Sequence, residues 1–125
     1  MNYIVSIGSN EERERQMALA REWLRGLYPD VRFSVELETE PLFLSRKALF
    51  SNQLASFSSA CSPDEVVAQL KQIEREAGCT PEMKRQERVP LDLDLLVAGD
   101  LILRPKEMGR DYIQRLLHSG FGAEE

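Results

Sequence analysis

The sequence predicts an α+β fold, in which an antiparallel sheet carries both helices on one face and is followed by a short C-terminal hairpin. Strands are indicated by segments in which apolar and polar residues alternate, and helices by two longer segments with apolar residues at helical spacing. The segments follow one another in the order β-α-β-β-α-β, which is the ferredoxin-like split arrangement. In that arrangement, the sheet face opposite the helices is free to carry a site.

The composition is that of an ordinary globular protein, with 125 residues of which 42% are hydrophobic and 30% charged. We expect one domain over residues 1–125, with residues 120–125 frayed. The apolar runs are too short to span a membrane, and YIVSIG follows Met1 where a secretory signal would have a basic region. These features predict a cytoplasmic protein with no membrane partner. The net charge of −5 argues against nucleic acid as a partner.

The first strand and the first helix are both clearly indicated. YIVSIGSN alternates like a strand and ends in the turn residues Gly8, Ser9 and Asn10. From Glu11 to about Tyr28, apolar residues recur at helical spacing. We therefore predict a helix in this segment, with Asn10 as its N-cap.

Two further strands are predicted in the middle of the chain. VRFSVELET alternates like one half-buried strand, and EPLFLSRKA predicts a loop near Pro41. LFSNQLASFSS predicts the next strand, with Phe50, Asn52 and Leu54 on one face. Both faces of that strand mix apolar and polar residues, so the sequence leaves open which face meets the core.

The second helix is predicted from Ser62 to Gly78. Ser62 and Glu65 form a possible capping box, and Gly78 is a suitable residue for the C-terminal end. CTPEMKRQERV then predicts a polar loop of about ten residues, longer than most connections. Loops of this length are often lids or binding loops, and this one is rich in basic residues.

The last predicted strand runs from Leu91 to Val97. Gly99-Asp100 indicates a turn, after which residues 101–103 return as a short strand beside it. Residues 110–117 fit either a short helix or a final edge segment.

Asp92 and Asp94 are the strongest candidates for chemistry. Same-face residues two apart in a strand lie about 7 Å apart, so both carboxylates can converge on one divalent cation or serve two. Magnesium prefers a few carboxylates together with phosphate oxygens and water, and the basic loop just upstream could bind a metal-bound polyphosphate. Glu74 could add a third oxygen ligand or anchor the loop. The alternatives are that the aspartates solvate the outer sheet face and that Glu74 is an ordinary exposed glutamate.

The sequence has few of the residues that other types of catalytic or metal site require. His118 is the single histidine, so neither a histidine-based zinc site nor a Ser-His-Asp triad is expected. Cys61 and Cys79 do not form a C-x-x-C pair, and they are interpreted as free thiols or small core residues.

Several short blocks resemble, in order, the family of 6-hydroxymethyl-7,8-dihydropterin pyrophosphokinase. The blocks are IGSN at 7–10, ETEP at 38–41, FSN at 50–52, QIE at 72–74, LDLDLL at 91–96 and a weaker RDYI at 110–113. The resemblance spans residues 3 to about 115. It implies an enzyme of folate biosynthesis that transfers diphosphate from ATP to a pterin alcohol and releases AMP, with two magnesium ions bound alongside ATP.

The resemblance also implies roles for individual residues. Asp92, Asp94 and Arg88 would be catalytic, with the two aspartates binding the magnesium ions that bridge the phosphates of ATP. The implied substrate-binding residues are Thr39, Glu40, Leu42, Phe50, Asn52 and Tyr112. The implied nucleotide-binding residues are Glu74 and Arg110. Lys84, Arg85, Arg88 and Lys106 are further nucleotide-binding candidates, as point charges that could replace the phosphate contacts of the family.

For the pterin, the resemblance implies two kinds of contact. The planar amide of Asn52 can donate and accept hydrogen bonds at the edge of the ring. Phe50 and Tyr112 would stack on its two faces, although core packing is an equally good explanation of both aromatic residues.

The sequence departs from the family pattern on the phosphate side. The family usually has Pro-Arg one residue ahead of the LDLDLL block, where this chain has Arg88 and Val89. The further departures are Gln86 for an aromatic residue, Cys79 and Pro81 for arginines, and Pro105-Lys106 for Pro-His. Two alternatives therefore stay open: a weakly active or inactive relative that binds a pterin or nucleotide, and a ferredoxin-like interaction domain. The oligomeric state is open as well.

Overall fold

The computed structural model describes residues 1–40 and 48–122. These residues form six strands: β1 (Asn2–Ser9), β2 (Arg32–Phe33), β3 (Leu37–Thr39), β4 (Phe50–Ser58), β5 (Asp92–Ala98) and β6 (Leu101–Ile102). They also form five helices: α1 (Arg13–Leu27), α2 (Pro63–Glu76), α3 (Pro81–Arg85), α4 (Pro105–Met108) and α5 (Asp111–Ser119).

All six strands belong to one sheet, with β1 at its centre. β1 pairs with β4 on one side and with β5 on the other, and β6 extends the sheet beyond β5. β2 and β3 both pair with the far edge of β4. Every one of these pairings is antiparallel, so the predicted α+β class with an antiparallel sheet is confirmed.

The core has two parts, one on each face of the sheet. The larger cluster joins buried residues of α1 and α2, such as Leu24 and Leu70, to alternate residues of the central strands, such as Val5 and Leu95. The smaller cluster comprises Leu54, Leu96, Ile113 and Leu116 and packs α5 against β4 and β5. Since neighbours along a strand point to opposite faces, α5 covers part of the face that the sequence analysis left free.

The predicted first helix is present, but Asn10 is not its N-cap. The cap position is Glu12, which has a φ of 48° and makes no capping hydrogen bond through its side chain. Asn10 is buried, and its side chain bonds instead to Glu87 and Val89 of the loop before β5. The amide of Asn10 is buried and hydrogen-bonded to two backbone groups of the facing loop, so it is not available to cap the helix.

The segment predicted as one strand, VRFSVELET, is two short strands. Phe33 pairs with Ala55, whereas Leu37 pairs with Asn52, so the register moves by one residue between β2 and β3. The buried Ser34 bridges the interruption, since its hydroxyl accepts a hydrogen bond from the backbone N–H of Leu54 at 2.9 Å. A hydroxyl thereby replaces part of the backbone ladder.

The second helix and its capping box are confirmed. The Ser62 hydroxyl accepts from the N–H of Glu65 at 3.2 Å, and the Glu65 carboxylate accepts from the N–H of Ser62 at 2.9 Å. The loop predicted after it is wrong in part, because it contains the one-turn helix α3. Thr80 caps α3 through its hydroxyl and Pro81 is the first helical residue, a combination that favours helix initiation.

The C-terminal hairpin is confirmed, and the segment left open between helix and edge strand is helix α5. Cys61 and Cys79 are free thiols. Within residues 1–40 and 48–122, no helix has the length and apolar character needed to cross a membrane.

Candidate active site

Asp92 and Asp94 of β5 are the main candidate residues on the sheet face opposite α1 and α2. Leu91, Leu93 and Leu95 point into the larger core, so Asp92 and Asp94 project from the other side of the strand. Loss of solvent raises the pKa of Asp94, and the charge of Asp92 contributes to this rise, as expected for two carboxyl groups that are near each other. Asp92 reaches the solvent, whereas only 19% of the Asp94 side chain is exposed. The two carboxyl groups therefore lie on one face of the sheet, as their spacing predicted.

The electrostatics of this pair favour a bound cation. Loss of solvent, followed by the charge of Asp92, raises the pKa of Asp94 to about 7. Although Asp92 reaches the solvent, partial loss of solvent, followed by the charge of Glu74, also raises its pKa. Two neighbouring carboxyl groups cannot both ionise without a large loss of free energy unless a counterion is present or they share a proton.

The two carboxylates suit a hard divalent ion whose remaining ligands come from a bound substrate and from water. Among the described residues, no group of three or more His, Cys, Asp or Glu side chains is arranged to hold a metal. Two carboxylates completed by phosphate oxygens and water are the typical ligands of magnesium at a nucleotide. The aspartate pair therefore fits magnesium that arrives with a polyphosphate.

Glu74 supports the aspartate pair through the backbone of β5. Its carboxylate accepts a hydrogen bond of 2.8 Å from the N–H of Leu93, the residue between the two aspartates. Only 15% of its side chain is exposed, and Lys71 lies 3.5 Å from its other oxygen. Glu74 thus positions the strand and adds negative charge next to Asp92.

A cation lies directly against Asp94. The guanidinium of Arg104 is 3.5 Å from an Asp94 carboxylate oxygen and 2.8 Å from a Glu107 oxygen. Arg104 immediately precedes α4, and Glu107 lies within that helix. Neither residue was among the sequence-derived candidates.

Asn52 lies across Gly8 from Asp92. In the sheet, Gly8 pairs with Asn52 on one side and with Asp92 on the other. Since neighbouring strands are about 4.8 Å apart, the Cα atoms of Asn52 and Asp92 are separated by roughly 10 Å. A Cβ at Gly8 would lie 3.5 Å from the Asn52 amide oxygen and 4.0 Å from the Phe50 ring. Because Gly8 has no side chain, the sheet surface between Asn52 and Asp92 leaves room for a flat ligand.

The β3–β4 edge groups three of the predicted pterin-binding residues. The Asn52 amide nitrogen donates to the Thr39 hydroxyl at 2.6 Å, and Thr39 pairs with Phe50 across the two strands. The Asn52 side chain is therefore held in one orientation, with its amide oxygen towards Gly8. Glu40 is exposed, and Leu42 lies outside the described residues.

The second aromatic residue of the predicted site, Tyr112, is carried by α5. Tyr112 packs against the smaller core cluster, together with Leu37 from β3. Its hydroxyl lies 3.5 Å from the guanidinium of Arg110, which donates to it. A ring sandwich formed by Phe50 and Tyr112 stays a prediction.

The comparison with protein families identifies the chain. The family described as 7,8-dihydro-6-hydroxymethylpterin-pyrophosphokinase (HPPK) matches residues 4–119, which include the whole of the region described above. The chain belongs to the HPPK family. The comparison with curated proteins gave no match. Membership confirms the resemblance stated from the short blocks, and it supports a diphosphokinase-like enzyme of folate biosynthesis that uses ATP, magnesium and a pterin.

The basic loop of this HPPK chain is anchored away from the aspartate pair. Arg88 bonds to Glu11 at 2.5 Å and to Gln86 at 3.0 Å, and the side chain of Asn10 fixes the backbone around it. Arg85 pairs with Glu82 in the same helix. Arg88 therefore bonds within the loop and to the turn after β1, while Arg104 is the cation at Asp94.

The hairpin of this HPPK chain brings Arg104 back beside β5, but its register does not by itself place the side chain at Asp94. Val97 pairs with Ile102 around the turn at Gly99-Asp100, and the N–H of Leu103 bonds to Leu96 beyond the short β6. Continuing that register would pair residue 104 with Leu95, whose side chain points into the larger core, so Arg104 reaches Asp94 from a segment beyond the end of β6 at Ile102. The two exposed lysines of the predicted set, Lys84 and Lys106, lie on α3 and α4.

Proposed function

We propose that this protein transfers diphosphate from ATP to 6-hydroxymethyl-7,8-dihydropterin and releases AMP. Family membership supports the reaction class. The observation that carries the proposal is the arrangement of Asn52 and Asp92 on either side of Gly8. This arrangement supports the proposal because an amide suited to a heterocycle edge and a carboxylate suited to a metal-bound phosphate lie on one sheet face, roughly 10 Å apart across Gly8.

The pterin side of the reaction would use the β3–β4 edge. A pterin lying over Gly8 would meet the amide of Asn52, which the Thr39 hydroxyl holds in place at 2.6 Å. Stacking by Phe50 and Tyr112 would fix the plane of the ring. The backbone groups of Thr39 and Glu40 would complete the edge contacts. The hydroxymethyl group would then point towards Asp92.

The phosphate side would use β5 and the basic residues. Asp92 and Asp94 would hold magnesium, which when bound neutralises the negative charge of the triphosphate. We expect two ions. The nucleotide would take further contacts from Glu74, Lys84, Arg85, Arg88, Lys106 and Arg110. For this purpose Arg88 would exchange its bond to Glu11 for one to phosphate.

The chemical step needs positioning and no protein nucleophile. The oxygen of the pterin hydroxyl forms a bond to the β-phosphorus, and the bond from that phosphorus to the oxygen bridging it to the α-phosphate breaks. AMP leaves with that oxygen, and the hydroxyl proton passes to water. The contribution of the protein is to align the two substrates.

The test is AMP formation from ATP and the pterin alcohol in the presence of magnesium. We expect AMP from the wild-type protein and at least about a hundredfold less from Asp94→Asn, because the pair then loses the ionic oxygen that holds the metal. Asp100→Asn is the matched control, since Asp100 is exposed at the β5–β6 turn. Wild-type protein that forms no AMP would overturn the proposal.

One observation favours a second candidate, a pterin- or nucleotide-binding relative without turnover. Val89 stands where the family usually has arginine, and both backbone groups of Val89 are bonded to Asn10. Calorimetry with magnesium, a non-hydrolysable ATP analogue and the pterin, added in each order, separates the candidates. Binding of both ligands without AMP formation would support the second candidate.

A further inference from the structure

We propose that Arg104 is a phosphate-binding residue of this site, which Asp94 holds in place until a metal-bound nucleotide arrives. The proposal rests on the proposed function. It assigns to Arg104 the neutralising role that the family gives to an arginine at the position of Val89. Arg104 would then be specific to this chain's arrangement of the phosphate side.

The contacts of Arg104 show a side chain that is held but not enclosed. It lies 3.5 Å from Asp94 and 2.8 Å from Glu107, yet 48% of its side chain stays exposed. A guanidinium has five N–H donors, and these two contacts leave others for a phosphate. Some N–H groups of Arg104 thus contact carboxylates, while others are free to bind a phosphate.

The other arginines near the aspartate strand are engaged elsewhere. Arg88 bonds to Glu11 at 2.5 Å, and Arg85 bonds to Glu82 at the same distance. The ion pair to Asp94 is made by Arg104. Arg104 is therefore the arginine that already lies where a metal-bound phosphate would come.

Arg104 and a metal ion compete for the same carboxylate. An Asp94 oxygen that held a divalent ion would attract a guanidinium less strongly, because the charge of the ion would offset that of the carboxylate. Glu107 on the first turn of α4 can retain Arg104 at 2.8 Å when Asp94 is taken. Binding of the metal would therefore turn Arg104 from Asp94 towards the phosphates.

This competition predicts effects of opposite sign in Arg104→Ala. Binding of Mn²⁺ alone, followed by electron paramagnetic resonance, should tighten about threefold to tenfold because a competing positive charge is gone. Binding of a non-hydrolysable ATP analogue with magnesium, followed by calorimetry, should weaken about tenfold or more because a charge-assisted bond to phosphate is gone. Arg104→Lys should retain part of the nucleotide affinity.

Arg15→Ala is the matched control. Arg15 also pairs with a glutamate three residues away, at 2.7 Å from Glu12, and it is exposed on α1. Neither affinity should change in this variant. A thermal melt of each variant checks that α4 and the sheet are intact.

The outcomes separate this inference from the proposed function, because neither binding measurement needs turnover. Unchanged affinities in Arg104→Ala, or a weakening of both, would overturn the inference and reduce Arg104 to a structural role. Opposite shifts in a protein that forms no AMP would support the phosphate role and reject the function. AMP formation by the wild type with unchanged nucleotide affinity in Arg104→Ala would reject the inference alone.

Discussion

At the scale of single residues, the carboxyl group of Asp94 makes the stability of the protein depend on pH. Its pKa is raised from 3.8 to about 7, so the folded protein holds a proton that the unfolded chain releases between these values. Without metal, stability is therefore highest below pH 4 with respect to this group, and it falls as the pH rises towards 7. Ionisation of Asp94 in the folded protein is therefore unfavourable, and a bound cation would offset this effect.

Asp94→Asn should remove this pH dependence. In EDTA at pH 8 we expect the variant to be more stable than the wild type by on the order of 2 to 4 kcal/mol, and at pH 4 by little. Urea unfolding at the two pH values measures the difference. Asp100→Asn, at the exposed turn, should follow the wild type. A variant that is less stable than the wild type at both pH values would contradict the assignment.

At the scale of elements, Asn10 joins the turn after β1 to the loop before β5. Its amide donates to the carbonyl of Glu87 at 2.9 Å and accepts from the N–H of Val89 at 2.6 Å. Glu87 has a φ of 58°, a conformation that costs free energy in a residue other than glycine. Asn10 therefore stabilises a strained backbone just ahead of the aspartate strand.

Asn10→Ala should loosen this loop. We expect a loss of about 1–3 kcal/mol in unfolding free energy, because two partly buried backbone groups lose their partner. Limited proteolysis should cut faster between residues 80 and 90. Asn2→Ala, on the exposed end of β1, is the control and should change neither quantity. Unchanged cleavage of Asn10→Ala would show that the other contacts hold the loop.

Local signals predicted the elements whose stabilising contacts are local. The capping box at Ser62 and Glu65 joins residues three apart, so the start of α2 was correctly predicted. The cap of α1 was wrong because Asn10 is bonded to residues 77 and 79 positions away. A pattern within one segment contains no information about a partner so distant in sequence.

At the scale of the whole molecule, two cores of unequal size hold the sheet. The larger one joins α1 and α2 to the sheet, whereas the smaller one depends on α5 and four fully buried residues. Because less apolar surface holds it, α5 should be the less stable unit. Since α5 carries Tyr112 and begins directly after Arg110, its opening would also open the site.

Hydrogen exchange of the native protein tests this difference. We expect the amides of α5 to exchange before those of β1 and α1, through partial opening. Leu116→Ala should cost about 2–5 kcal/mol and speed exchange mainly in α5, while Leu24→Ala should affect the larger core. Equal exchange of α5 and β1 in the wild type would show that the two cores unfold as one.

The sequence by itself determined the α+β class, most of the strands and helices and the shared face of Asp92 and Asp94, because periodicity and capping depend on residues close in the chain. It also contained enough family signal to indicate a pyrophosphokinase. Only the tertiary structure decided that α5 covers part of the open face, that Asn10 holds the loop and that Arg104 reaches Asp94. These contacts depend on sheet order and strand register, which bring distant segments together.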